Sequence, residues 1–344
     1  MSLGDLLVLQ QSVKESDRSF SEERMQAIVT QIMDGEWGNE QIAAFLMGLS
    51  MRGETVSEIT GAARVLRQKL LPINAPTGAV DCCGTGGDGL GTYNISTAVA
   101  IVAAACGVPV AKHGNRSASS KSGAADVLEA LGINLNVPQS KLEEALKLFN
   151  FAFLMAPRHH EAMKYVVPVR KSLGVRTMFN LLGPLANPAG TQHQLIGVYN
   201  KSLIMPIAEV LKRLGTKSAW VVHGSDGLDE ITVTGETFVA KLDNGVITED
   251  VISPHDFGLK TALPEDLVGG TPEVNAEALL KVLRGADNAY RDIVLANTAA
   301  VLVVAKRTLG LKGGVEMAID AIESGKAFQL LNNYIEYTQE HGEA

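Results

Sequence analysis

The densest chemistry in this chain is Asp81-Cys82-Cys83-Gly84-Thr85-Gly86-Gly87-Asp88-Gly89, a glycine-rich turn directly after a short apolar run. Gly84 to Gly89 satisfies GxGxxG, the letters of a dinucleotide-binding turn, but that pattern is short and common. A nicotinamide site also needs an acid about 20 residues further on to hold a ribose hydroxyl. Here the second strand-like run ends instead in Lys112-His113, which suits phosphate better than ribose hydroxyls. Read alone, the segment also fits a plain structural turn.

Two neighbouring features favour phosphate. Thr92, Asn94, Ser96 and Thr97 lead into a helix beginning near Ala98. Hydroxyls, an amide and free backbone N–H groups gathered at a helix start make an anion site, strengthened by the helix dipole. The twelve residues Lys112 to Gly123 then carry three cations, five hydroxyl or amide side chains and two glycines between a strand and a helix. A solvated charged loop is the alternative for that segment by itself. Two such turns on adjacent strand ends of one sheet would face one crevice, and a ligand with phosphates at both ends would fill it.

Asp229-Glu230 follows the strand-like Trp220-Val221-Val222-His223-Gly224. Adjacent carboxylates at a strand margin are commonly solvent-exposed. Beside a polyphosphate site they are the hard oxygen ligands with which Mg²⁺ is held together with substrate phosphates. A chain of net charge −8 needs such a cation to accept a highly anionic substrate. Asp229 to Thr237, DEITVTGET, also matches the phosphate loop of type I phosphoribosyltransferases. That loop should follow directly on an apolar strand and precede a helix. Ser225-Asp226-Gly227 and the strand-like Phe238-Val239-Ala240 stand there instead, so the match is read as chance.

The remaining reactive side chains read as structural. His159 and His160 would sit about 100° apart on a helix, a poor metal chelate and a better pocket wall. Cys82, Cys83 and Cys106 form no CxxC pair, which points to a reduced compartment.

The elements that position these residues fall into two groups. Before residue 75 the pattern is helical only. Ser19 and Glu22 have the spacing of a capping box ahead of an amphipathic run from Met25 to Met33, and further helices cover about Glu40–Met51 and Val56–Leu71. Ala75-Pro76-Thr77-Gly78 reads as a linker. Strand-like Ala79–Cys83, Val108–Ala111, Phe151–Ala156, Gln194–Tyr199 and Ala219–His223 then alternate with helix-like Ser96–Cys106, Gly123–Leu131, Lys141–Leu148 and Pro206–Leu214. Alternation of this kind means an α/β domain with a largely parallel sheet. Helical patterns return from Asn275 onward.

Composition agrees. With 344 residues, 46% of them apolar, the chain has material for about two domains and is not disordered. The acidic balance argues against nucleic-acid or anionic-membrane binding. Ala98–Ala111, broken by Gly107 and Pro109, is too short to span a bilayer, and the first twenty residues show no leader pattern, so a cytoplasmic protein is expected.

Taken together, these segments closely resemble anthranilate phosphoribosyltransferase. The likeness rests on Gly84-Thr85-Gly86-Gly87-Asp88, Asn94-Ile95-Ser96-Thr97, Lys112-His113-Gly114-Asn115-Arg116-Ser117, Arg176-Thr177 with Phe179-Asn180-Leu181-Leu182-Gly183-Pro184-Leu185, and Gly227-Leu228-Asp229-Glu230, and it spans nearly the whole chain. The resemblance implies transfer of the 5-phosphoribosyl group of phosphoribosyl pyrophosphate (PRPP) to the amine of anthranilate in tryptophan biosynthesis. It implies a nucleoside phosphorylase-like phosphoribosyltransferase fold: a small all-helical domain over 1–74 with a helical return near 160–187, and a larger α/β domain over 75–159 and 188–344.

Carried over residue by residue, the PRPP site falls on Gly84, Gly87, Asp88, Thr92, Asn94, Ile95, Ser96 and Thr97. It continues over Lys112, His113, Gly114, Asn115, Arg116, Ser117, Ala118, Ser119 and Ser120, and reaches Ala124. The metal ligands fall on Ser96, Asp229 and Glu230, for two Mg²⁺ ions. Anthranilate contacts fall on Gly84, Asn115 and Arg170, and a homodimer through the helical domain is implied. No catalytic residue is dedicated, although His113 is the nearest candidate for a general base. Two positions depart from the family: Ala124 replaces a common hydroxyl residue, and Glu161 replaces a proline after His160. Two other activities would also use parts of this pattern. A pyrimidine nucleoside phosphorylase would not need the Asp229-Glu230 pair, and a silent nucleic-acid-binding relative would need a basic surface.

Overall fold

A computed structural model describes residues 19–117 and 121–343. Among the described residues the first elements are three helices, α1 (Glu22–Met33), α2 (Asn39–Arg52) and α3 (Val56–Lys69). The cap of α1 is Ser21, whose hydroxyl accepts from Arg24 N–H at 3.2 Å, so the Ser19–Glu22 box is displaced by two residues. The box forms on α3 instead. Thr55 N–H donates to Glu58 at 2.9 Å, and the fully buried Glu58 also takes Phe20 N–H and pairs with Arg52.

The α/β part alternates as expected. β1 (Val80–Gly84) leads to α4 (Ile95–Ala105), β2 (Val110–Gly114) to α5 (Ala124–Ala130) and α6 (Gln139–Phe149), and then comes β3 (Phe151–Met155). After α7 (Val167–Leu173) come β4 (His193–Gly197), α8 (Ile204–Arg213) and β5 (Ser218–Gly224). A hairpin of β6 (Thr237–Asp243) and β7 (Val246–Ile252) follows. Four helices close the described chain: α9 (Pro272–Leu283), α10 (Ala289–Val304), α11 (Leu311–Glu323) and α12 (Lys326–His341).

The seven described strands form one sheet in the order β3-β2-β1-β4-β5-β6-β7, parallel through β5 and antiparallel at β6 and β7. The order reverses direction at β1, so the carboxyl ends of β1, β2 and β4 share the crevice where open α/β sheets bind ligands. One sheet face packs against α4 and α10–α12. The other carries Ile196, Val198, Ala219 and Val221, which join the apolar residues of α1–α3 and of segment 166–186 in a second core.

Two differences from the sequence reading have physical causes. β2 runs two residues later than Val108–Ala111, because its polar end is satisfied by tertiary bonds: Lys112 reaches Cys82 O and His113 N–H reaches Asp81. Strand β7 carries charges on an exposed edge and shows no apolar run, yet Asn244 (φ +47°) and Gly245 (φ +86°) make the tight turn that specifies it.

Candidate active site

A cleft of about 820 Å³ opens over the carboxyl ends of β1 and β2, walled on the other side by segment 156–186. Its floor is the glycine-rich turn. Thr85 is anchored to the neighbouring strand end, its N–H on Gly197 O at 2.9 Å and its hydroxyl accepting from Tyr199 N–H at 3.1 Å. Gly86 N–H donates to Asp229 Oδ2 at 2.7 Å. A Cβ on Gly84 would collide with that carboxylate, and one on Gly197 with the Asp229 carbonyl, so only glycine admits the acid here.

Helix α4 starts in the cleft without a side-chain cap. Asn94 stands at the capping position, but its amide is engaged elsewhere: Oδ1 accepts from Asn275 at 2.8 Å and Ser122 Oγ at 3.1 Å, and Nδ2 donates to Ser122 O at 3.2 Å. Tyr290 holds the Asn94 carbonyl at 3.2 Å. Of the first N–H groups of α4, that of Ile95 donates to Tyr93 O at 2.9 Å and that of Ser96 goes to the Glu230 carboxylate, so the acid itself sits at the positive end of the helix. Beside them Lys112, 1% exposed, donates to Cys82 O at 2.7 Å and Ser96 Oγ at 3.1 Å, which leaves one of its three ammonium protons unused.

Asp229 and Glu230 are both buried on this cleft. Burial pushes Asp229 well above the carboxylate range, and the charges of Glu230 and Asp88 add to it, against the Gly86 bond. Burial also raises Glu230 to about 7, opposed by Lys112 and by hydrogen bonds from Ser96. Two buried acids that titrate so high are short of positive charge, and a hard divalent cation fits them. Among the described residues no group of three His, Cys, Asp or Glu could hold a metal alone, so Ser96, Asp229 and Glu230 would share the ion with substrate oxygens.

Arg170 lines the same cleft, with no carboxylate partner among the described residues, and burial lowers its pKa. The same cleft is lined by the apolar side chains of Pro157, Met163, Val167 and Phe179. Arg116 also reaches the cleft margin, but its guanidinium pairs with Glu129 at 2.5 and 2.6 Å and with Asp126 at 3.2 Å. Asp126 also takes the Ser117 and Gly123 N–H groups, so the start of α5 is already capped.

The structure thus brings Gly84, Gly87, Asp88, Thr92, Asn94, Ile95, Ser96, Lys112, His113, Gly114, Asn115, Arg116, Ser117, Ala124, Arg170, Asp229 and Glu230 to one cleft. It does not bring the Thr97 side chain, which is buried within the packing of α4, its hydroxyl without a partner among the described residues. Ala118, Ser119 and Ser120 lie outside the described residues. His113 is buried, its Nδ1 on Gly183 O at 3.2 Å, and its pKa is lowered to about 3 by burial and by His160. A nitrogen so weakly basic is a poor proton acceptor at neutral pH.

Sequence reasoning assigned no role to Arg176, which donates to Gly87 O, lies 4.3 Å over the Tyr199 ring and is tied to α2 by Ser50. Nor did it find Asn275, which comes from a helix 181 residues away from Asn94. The signal for Arg176 was its place beside Thr177 in a recognised motif. For Asn275 there was none.

Two family models match the chain: "Glycosyl transferase family, helical bundle domain" over residues 9–70 and "Glycosyl transferase family, a/b domain" over 76–328. An anthranilate phosphoribosyltransferase of Azospirillum brasilense is 58% identical over 307 residues, 89% of this chain and 86% of that protein. One of Rhodospirillum rubrum is 56% identical, covering 88% of each. The crystal structure of anthranilate phosphoribosyltransferase from Thermus thermophilus superimposes with a TM-score of 0.90 at 41% identity, covering 96% of this chain and 99% of that one. The Saccharomyces cerevisiae enzyme in complex with PRPP and Mg gives 0.87 at 28% identity, covering 98% and 99%.

Proposed function

The chain belongs to the anthranilate phosphoribosyltransferases, and we propose on that premise how its own residues share the work. The reaction is transfer of the 5-phosphoribosyl group of PRPP to the amine of anthranilate, with release of pyrophosphate, in tryptophan biosynthesis. Cleaving the C1–O bond builds positive charge on the ribose and negative charge on the leaving pyrophosphate. Lys112 and the positive end of the α4 dipole receive that negative charge, and the Asn94 amide is engaged by Asn275 and Ser122. Ser96, Asp229 and Glu230 hold Mg²⁺, which when bound supplies the charge that neutralises the pyrophosphate, and the two acids are enough to share two ions. Arg170 binds the anthranilate carboxylate bidentately and so aims the amine at C1. The amine is itself a competent nucleophile, and His113 shapes the cleft wall.

The observation that carries this reading is the composition of one cleft: buried acids and a buried lysine at a helix start, together with Arg170 and apolar side chains. Anthranilate fluorescence should fall on adding PRPP and Mg²⁺ and stay flat with EDTA. A flat trace in both would overturn the assignment. Asp229→Ala with Glu230→Gln should lower Mg²⁺-dependent turnover about 100-fold or more while leaving the fold intact. Turnover independent of Mg²⁺ in the unmodified protein would remove the metal role.

The division into 1–74 with 160–187, and 75–159 with 188–344, is part of the same reading. So is a cytoplasmic homodimer. What supports the dimer is Met47 and Met51 on α2, 36% and 68% exposed, and light scattering tests it. Among the described residues no helix is long and apolar enough to cross a membrane.

A further inference from the structure

In a β-strand successive side chains point to opposite faces. Asp229 and Glu230 are adjacent, yet both line the same cleft, so the backbone carrying them cannot be a regular strand. It is not: residues 225–236 form no helix or strand, although Leu228, Ile231, Thr232 and Val233 are all buried. A buried irregular segment has to find hydrogen-bond partners outside any ladder.

At Ile231, immediately after the acid pair, both backbone groups are taken by one side chain. Asn297 Oδ1 accepts from Ile231 N–H at 3.0 Å, and Asn297 Nδ2 donates to Ile231 O at 2.8 Å. The second Nδ2 proton goes to Ile293 O at 2.9 Å, so both donors of the amide are used. Asn297 is 0% exposed in the middle of α10, where asparagine is a poor helix former and an apolar residue would pack better. Upstream, Asp226 pins the segment through Leu228 N–H and the hydroxyls of Thr232 and Thr234.

We propose that Asn297 is a positioning residue for the metal site: its amide stands in for a neighbouring strand and sets the backbone bend that turns both Asp229 and Glu230 into the cleft. This rests on the assignment of those two acids as metal ligands. Removing the amide frees Ile231 and lets the pair relax toward alternation, one carboxylate leaving the site. Outer residues that orient metal ligands are typically worth about 10- to 100-fold in metal affinity.

The test is calorimetric titration of PRPP into the intact protein, in millimolar Mg²⁺ and separately in EDTA. Asn297→Leu keeps the branched outline of the side chain and removes all three bonds. Its metal-dependent gain in PRPP affinity should shrink by about tenfold or more, while affinity in EDTA stays within about twofold of the unmodified protein. Asn297→Asp, which can still accept from Ile231 N–H, should recover part of the gain, and it carries the same test if the leucine variant does not fold. A variant that melts earlier but keeps the full metal-dependent gain overturns the proposal, because a packing role would give that result. No gain in the unmodified protein would overturn the metal assignment itself, and the proposal with it.

Discussion

His113 and His160 set two imidazoles against each other in the cleft wall, ring centroids 5.1 Å apart. Burial holds His113 at about 3 and His160 at about 4, against an ordinary value of 6.5, so both are neutral in the folded protein. Below pH 6.5 the unfolded chain takes up protons that the folded chain refuses. Stability is therefore complete above that pH and is lost as pH falls toward the folded values, by about 1.4 kcal/mol per pH unit for each histidine. His160→Gln should flatten this acid limb in thermal melts between neutral pH and about pH 5. An unchanged slope would place the acid sensitivity elsewhere. Arg170, in the same cleft, should act on one substrate only. Arg170→Ala should raise the KM for anthranilate by about 10- to 100-fold and that for PRPP far less, since a charge-assisted pair is worth roughly 1.5–3 kcal/mol. The opposite pattern in initial-rate kinetics would put this arginine at the phosphate end.

At the scale of elements, the site depends on two strands ending in glycine. Gly84 and Gly197 close β1 and β4 side by side, paired in register, and the acidic segment lies across both. Gly197→Ala drives a methyl into the Asp229 carbonyl, a backbone atom that cannot swing aside. A stability loss of about 1–3 kcal/mol is expected, with weaker Mg²⁺-dependent binding of PRPP. Normal binding by that variant would show that the segment moves freely.

Some of these elements were legible in the sequence and some were not. The rhythm of β1 to β5, the glycine turn and the start of α4 are local patterns, and each lies within a few residues of its reading. The Ser19–Glu22 box was misplaced because Ser21, two residues on, offers the same hydroxyl closer to the helix. Arg116 looked like a phosphate ligand by type, and only the folded helix shows Glu129 and Asp126 within its reach. Asn275 and Asn297 act across 181 and 66 residues. No periodicity encodes contacts of that separation. They follow from which helices pack above the strand ends.

For the molecule as a whole, the described C-terminal helix completes the sheet. β3 is an outer strand, and the Phe153 N–H it turns away from β2 donates to the Tyr334 hydroxyl at 3.1 Å. The Tyr334 ring also packs edge-on to Phe151, 4.8 Å between centroids. Tyr334→Phe keeps the ring and orphans a buried N–H, at a cost of about 1–3 kcal/mol. The melting temperature should fall by a few degrees with both KM values unchanged. A shift in KM instead would tie this edge to the cleft.

That bond also sets a schedule. Phe153 and Tyr334 are 181 residues apart, so a ribosome adding about 5–20 residues per second needs roughly 10 to 40 s to deliver the second after the first. Throughout that interval the nascent chain offers a strand whose outward amide has no partner, and any extended peptide nearby can pair with it. The helix that carries Tyr334 is thus a timed seal: until it emerges, the outer edge of β3 stays open.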